Sequence, residues 1–177
     1  VFLPGSSSRV AVTSEASQRI VLVDIPGGRV GGAVVTQAPG SHMLALAADG
    51  KTLFTANVPV GGVSQLDLGA RSFVRRIDVA PQTEGIAITP DGREVWVGSN
   101  SGGTVSVIET ASGRVSATIP DLGMPYRVTI SPDGKWALVP DPEGNGVHVI
   151  EVATRKPTGT ISGIGSPRGV DIAGDNR

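Results

Sequence analysis

Pro90-Asp91-Gly92-Arg93 decides the fold, because its pattern returns along the chain at a fixed interval. Ala48-Asp49-Gly50-Lys51 lies 42 residues earlier, Pro132-Asp133-Gly134-Lys135 lies 42 later, and Gly174-Asp175-Asn176-Arg177 lies 42 later again. One further step back reaches Ser7-Ser8-Arg9, where the basic residue is kept. Self-similarity at this period is the signature of a solenoid, propeller or array, whose units bury their hydrophobic faces only against one another.

Between two such turns the sequence reads as four short strands. In the unit that follows Pro90-Asp91-Gly92 they are Glu94-Val95-Trp96-Val97-Gly98, Thr104-Val105-Ser106-Val107-Ile108, Arg114-Val115-Ser116-Ala117-Thr118-Ile119 and Arg127-Val128-Thr129-Ile130. They are separated by Ser99 to Gly103, Glu109 to Gly113 and the longer link Pro120 to Pro125, all rich in turn formers. Four short strands in 42 residues match one blade of a β-propeller, and the expected fold is all-β. The repeats run over 9–50, 51–92, 93–134 and 135–176, within a single propeller spanning 1–177. Val1 to Pro4 fill the slot of Gly169 to Ile172, so five copies of the strand leading into the Asp-Gly turn accompany four of each other strand. The expectation is therefore a partial propeller, about four blades of a ring that would need roughly 290 residues if it had seven.

Composition supports many short strands. The chain holds 25 Gly and 13 Pro among 177 residues, yet 39% of it is hydrophobic. Disorder would instead combine low hydrophobicity with high net charge. Fifteen basic and 16 acidic residues give a net charge of −1, so no long-range field favours nucleic acid. No apolar run approaches the roughly 18 residues of a membrane span, and no transmembrane segment is expected. There is no cysteine, hence neither a disulfide framework nor a thiolate metal site.

Thr104-Val105-Ser106-Val107-Ile108-Glu109-Thr110, Gly113-Arg114-Val115-Ser116-Ala117-Thr118-Ile119 and Ile130-Ser131-Pro132-Asp133-Gly134 together resemble the YVTN family of β-propeller repeats. Leu53-Phe54-Thr55-Ala56-Asn57 is the nearest approach to the family's eponymous tetrapeptide. The resemblance implies a bacterial or archaeal exported, periplasmic or cell-surface protein whose propeller serves mainly for binding. It also implies a relation to lactonase-like enzymes and haem d1-type domains, so a propeller enzyme is the alternative. WD repeats do not fit, since no Trp-Asp closes a strand and no Gly-His opens a unit.

The candidate site follows from the register. Asp49, Asp91, Asp133 and Asp175 lie one blade apart and read as turn formers, as do Asp67, Glu109 and Glu151 at the ends of second strands. The residue before each inner strand, where the long link descends to the channel mouth, instead varies: His42, Glu84, Tyr126, Arg168. The next slot reads Met43, Gly85, Arg127, Gly169. Equivalent positions in a ring face one axis, so His42, Glu84, Tyr126, Arg127 and Arg168 are expected to surround a funnel and to bind a small molecule or protein. Variation within a regular repeat is what a grafted site looks like. In the enzyme alternative His42, Glu84 and Arg127 would be acid, base and anion-stabilising groups.

Other chemistry finds no support. Asp141, Glu143 and Asn145 supply too few oxygens for calcium, which takes about six to eight. His42 and His148 sit about two blades apart, and neither a metal nor any other cofactor is expected. No Gly-X-Ser-X-Gly elbow, P-loop or zincin motif occurs, and no catalytic residue is assigned. Phe54 and Trp96 share a repeat slot with Val12 and Leu138 and are expected to pack between blades, while Trp136 is expected to be partly exposed.

Overall fold

The computed structural model describes residues 1–173, and Gly174-Asp175-Asn176-Arg177, the last turn of the repeat, lies outside them. Fifteen strands form four antiparallel sheets: β1 (Arg9–Ser14), β2 (Arg19–Asp24) and β3 (Arg29–Val35); β4 (Ser41–Leu46), β5 (Thr52–Asn57), β6 (Val63–Asp67) and β7 (Ser72–Ile77); β8 (Thr83–Ile88), β9 (Glu94–Ser99), β10 (Thr104–Glu109) and β11 (Val115–Ile119); β12 (Thr129–Ile130), β13 (Trp136–Asp141), β14 (Gly146–Glu151) and β15 (Lys156–Ser162). Val1 to Leu3 complete the first sheet through a Phe2–Val10 bridge and hydrogen bonds to Arg9 and Ala11. The fold is an all-β propeller of four-stranded blades. Gly169 to Ile172, expected to be a fifth inner strand, forms no strand; it has no following strand to pair with among the described residues and is tied by the Thr129 hydroxyl to the Val170 carbonyl at 2.8 Å.

The repeated turn works through its aspartate and glycine together. Gly92 N–H donates to Thr89 O at 2.8 Å, with Pro90 and Asp91 between them and Gly92 at φ 71°, a left-handed conformation that only glycine adopts without strain. Asp91 then accepts from the Thr89 hydroxyl at 2.6 Å and the Arg93 N–H at 3.0 Å. Asp133 repeats this with Ser131 and Lys135, and Asp49 with Thr52 and Lys51. The hydroxyl of Thr89, then the Arg93 N–H, hold the Asp91 carboxyl below its ordinary pKa. These carboxylates are occupied by the turn, at the end of each blade opposite the links.

Blades pack face to face. Trp96, Val107 and Ile119 of the third sheet bury against Ala137, Val139 and Ile150 of the fourth; Phe54, Val63 and Ile77 of the second meet Val95, Val97 and Ile108 of the third. Phe54 and Trp96 are fully buried, as expected. Their partner slot in the first sheet is Ala11, not Val12: Ala11 lies opposite Leu22 as Phe54 lies opposite Gln65 and Trp96 opposite Val107. The first sheet runs 43 residues ahead of the second rather than 42, which turns Val12 to the other face, where it is 44% exposed. The fourth sheet presents the face that is covered in the other three. Ile161 is 51% exposed, whereas its counterparts Ile119 and Ile77 are 3% and 5% exposed, and Trp136 beside it is 40% exposed.

In the second, third and fourth blades a polar latch at the end of the strand that follows the Asp-Gly turn, β5, β9 or β13, fixes the descending link. In the second blade Asn57 accepts from Ser41 and donates to Ser64, whose hydroxyl reaches back to Thr36 O at 2.8 Å. In the third, Ser99 donates to Pro81 O. In the fourth the same slots hold Asp141 and His148. Asp141 Oδ1 accepts from the N–H of Met124 at 3.0 Å and of Glu143 at 3.2 Å, and His148 Nε2 meets Leu122 O at 3.1 Å. His148 Nδ1 faces the Thr160 hydroxyl at 3.1 Å. Asp141 is 6% exposed, and that burial works to raise its pKa; the N–H groups of Gly144, Met124 and Glu143, with His148, outweigh it and leave the carboxyl below its ordinary value.

Two outcomes follow from this packing. Ile119→Ala is expected to cost about 2–5 kcal/mol in urea unfolding and Ile161→Ala less than about 1 kcal/mol, although the two share a repeat slot; equal losses would show that the two faces are not differently covered. Asp141 contributes fully above its unfolded-state pKa near 4, and the contribution is lost as the pH falls through the lower folded value. Urea midpoints of Asp141→Asn measured from about pH 6 down to pH 2 should therefore vary less with pH than those of the parent chain; parallel profiles would sink the latch.

Candidate functional site

The links end at the starts of the inner strands, at the blade ends away from the Asp-Gly turns, and their last residues gather there into one mouth. His42 and Glu84 are the second residues of β4 and β8, while Tyr126 and Arg127 precede β12. Tyr126 is fixed by its N–H to Pro140 O at 3.0 Å, within the blade whose link Asp141 and His148 hold. A latch buried in the blade thus sets the height of the mouth residues.

One half of the mouth is a polar relay across three blades. His42 Nδ1 meets Glu15 Oε1 from the β1–β2 loop, and His42 Nε2 lies 3.6 Å from Glu84 Oε1. Glu84 Oε2 accepts from Asn100 Nδ2 at 2.7 Å. The Glu84 side chain is only 12% exposed, against 33% for His42 and 54% for Glu15, so Glu84 is the anchored member. The two carboxylates approach opposite nitrogens of one ring and do not converge on a point, and no cluster suited to a metal occurs among the described residues. Asn100 Oδ1 and Thr104 Oγ1 are buried beside this relay without a hydrogen-bond partner.

The other half is cationic and aromatic. The guanidinium carbons of Arg127 and Arg168 lie 5.7 and 5.1 Å from the centroid of the Tyr126 ring. The Arg127 backbone crosses directly over Gly85, where an added Cβ would lie 2.4 Å from Arg127 Cα. The missing side chain lets Arg127 reach past the third blade to the Met43 sulfur in the second. In the slot read as Met43, Gly85, Arg127, Gly169, Gly85 thus makes room for its neighbour Arg127, whose side chain meets Met43.

The structure brings His42 against Glu84, and Tyr126 against both Arg127 and Arg168, and the Arg127 contact with Met43 joins the two halves. Reading the repeat places the loops Glu15 to Arg19 and Ser99 to Gly103 on the face of the candidate site without singling out Glu15 or Asn100. These two residues share one slot, the first residue after the strand that follows the repeated turn, β1 or β9, and the step from the first sheet to the second is 43 residues rather than 42. Beside His42 and Met43 lies a hollow of about 300 Å³, lined also by Ala11, Val12, Thr13 and Leu44. A larger hollow of about 430 Å³ lies at the Asp-Gly end between the third and fourth blades, but its charged lining includes Glu94 and Arg155, which pair with each other, and Asp91 and Asp133, which serve their turns.

No family model and no curated protein matches the chain. Among solved structures it is similar to the Kuenenia stuttgartiensis hydrazine synthase, with a TM-score of 0.87 over 96% of this chain at 22% identity. The chain spans about half the length of that structure, 50% of it being covered. At this identity the likeness shows a shared β-propeller architecture.

Proposed function

We propose that the chain is a rigid binding module whose ligand or protein partner is held at the channel mouth by His42, Glu84, Tyr126, Arg127 and Arg168. The observation that carries this reading is the contact line itself: the residues that vary at one repeat slot touch one another across blades, through Glu15, Asn100 and Met43, on a scaffold that is otherwise regular. Sites built from variable loop residues on a rigid frame are the usual way a propeller acquires specificity. An exported or cell-surface setting, and membership of the YVTN propellers, rest on the resemblance of the repeat; labelling of intact host cells by an antibody against the chain tests the setting, and a purely cytoplasmic signal counts against it. No helix among the described residues is long and apolar enough to cross a membrane.

One observation favours a second reading. A histidine placed between two carboxylates, Glu15 and Glu84, is an arrangement that can orient an imidazole for proton transfer, as a lactonase-like enzyme would use it. A haem d1-type domain would declare itself by visible absorbance. Lactone turnover or a Soret band in the purified protein would replace the binding reading with the enzyme.

A thermal-shift screen of small metabolites and short peptides tests the binding reading. Ligands that stabilise the parent chain should lose their effect in Glu84→Gln and Arg127→Ala, while the ligand-free melting temperature of Glu84→Gln stays close to that of the parent. Ligands that stabilise all three chains equally would place binding elsewhere, and a screen without any stabilising compound would remove the proposal.

A further inference from the structure

Arg127 and Arg168 crowd the ring of one tyrosine, Tyr126, at 5.7 and 5.1 Å from its centroid. Arg76, Arg93, Arg114 and Arg155 each have a carboxylate within ion-pairing distance, namely Asp78, Asp91, Glu109 and Glu94. Among the described residues Arg127 and Arg168 have none, as is true also of Arg9, Arg19, Arg29, Arg71 and Arg75, but they alone bring two such cations together on one ring. A guanidinium carries five N–H donors in a planar fork, and the hydrogen-bond partner of Arg127 is the Met43 thioether, a weak acceptor. Its other neighbour is the face of Tyr126, which it shares with a second cation. Two like charges on one ring repel, and a partly buried guanidinium with unfilled donors is costly to keep. The backbone nevertheless commits to this placement, since it requires Gly85 beneath Arg127.

Resting on the binding reading above, we infer that the channel mouth takes a small organic oxyanion, with its carboxylate or phosphate oxygens between Arg127 and Arg168. The guanidinium fork matches both oxyanions in two-pronged geometry, and an anion there relieves the repulsion that Tyr126 alone only softens. The Met43 thioether and the Tyr126 ring supply apolar surface for the carbon skeleton. The opposite half carries an excess of negative charge: one imidazole, His42, faces two carboxylates, Glu15 and Glu84, and Glu84 takes only the neutral Asn100 amide. That half repels a second carboxylate, so the anionic end is directed to the arginines and a hydrogen-bond donor of the ligand to the relay.

Tyr126 is the sole tyrosine of the chain, so ring-labelled tyrosine gives a single reporter at the site. The protein is titrated with succinate and with inorganic phosphate at constant ionic strength, sodium chloride serving as control. A saturable shift of the Tyr126 ring signals is expected with at least one oxyanion, its apparent Kd rising about tenfold or more in Arg168→Gln and in Arg127→Lys. Arg168 is exposed, so its substitution leaves the fold intact even if Arg127→Lys disturbs packing. Shifts that follow chloride, or saturable shifts unchanged in Arg168→Gln, overturn the inference. If the thermal-shift screen yields only neutral or cationic ligands that depend on Glu84, the oxyanion fails and the binding module stands; if it yields none, both fail.

Discussion

Face-to-face burial between consecutive sheets is the constraint on which everything else depends. A four-stranded sheet of this size has two faces and cannot bury either alone, so each blade is stable only through its neighbours. Phe54 and Trp96 are the largest contributors, each filling the junction to the next blade, and an aromatic side chain buries about 150–250 Å². Where the slot shrinks to Ala11 the junction is filled instead by Leu22, Leu53 and Leu66, and Ala11 remains fully buried. The exposed Trp136 and Ile161 show the same rule from the other side, since they occupy the face that the other blades cover.

The mouth inherits its order from the latches. Asn57 with Ser64, Ser99, and Asp141 with His148 perform one task, holding a link by its backbone so that the first residues of the inner strand emerge at a fixed height. In the fourth blade a carboxylate and an imidazole replace an amide and a hydroxyl, which ties the placement of Tyr126 and Arg127 to charged groups. Asp141, which the sequence offers as a possible calcium oxygen, spends its hydrogen-bonding capacity on three backbone N–H groups.

The fold was legible because the repeat carries it. Turn glycines at positive φ, turn aspartates that accept neighbouring N–H groups, and apolar alternation all recur at one period and agree with one another. That His42, Glu84, Tyr126, Arg127 and Arg168 lie near one another was legible for the same reason, since they occupy neighbouring slots of a regular repeat. What the repeat could not convey was side-chain reach. The meeting of Arg127 with Met43 depends on the absence of a Cβ at Gly85, and the meeting of Glu15 with His42 crosses a blade boundary. The single-residue change of step in the first sheet turned Val12 outward and put Ala11 in the slot of Phe54 and Trp96. A period locates slots; it does not register an insertion until strand pairing fixes which residues face each other.

A crystal structure of the chain grown with succinate or phosphate tests the central claim most directly, that the mouth is a binding site assembled across blades. The account predicts an oxyanion within hydrogen-bonding distance of both Arg127 and Arg168, with Tyr126 still against the guanidiniums and the Glu15, His42 and Glu84 contacts retained. A mouth left empty while the anion sits elsewhere, or one in which Arg127 and Arg168 turn to protein carboxylates, would contradict it.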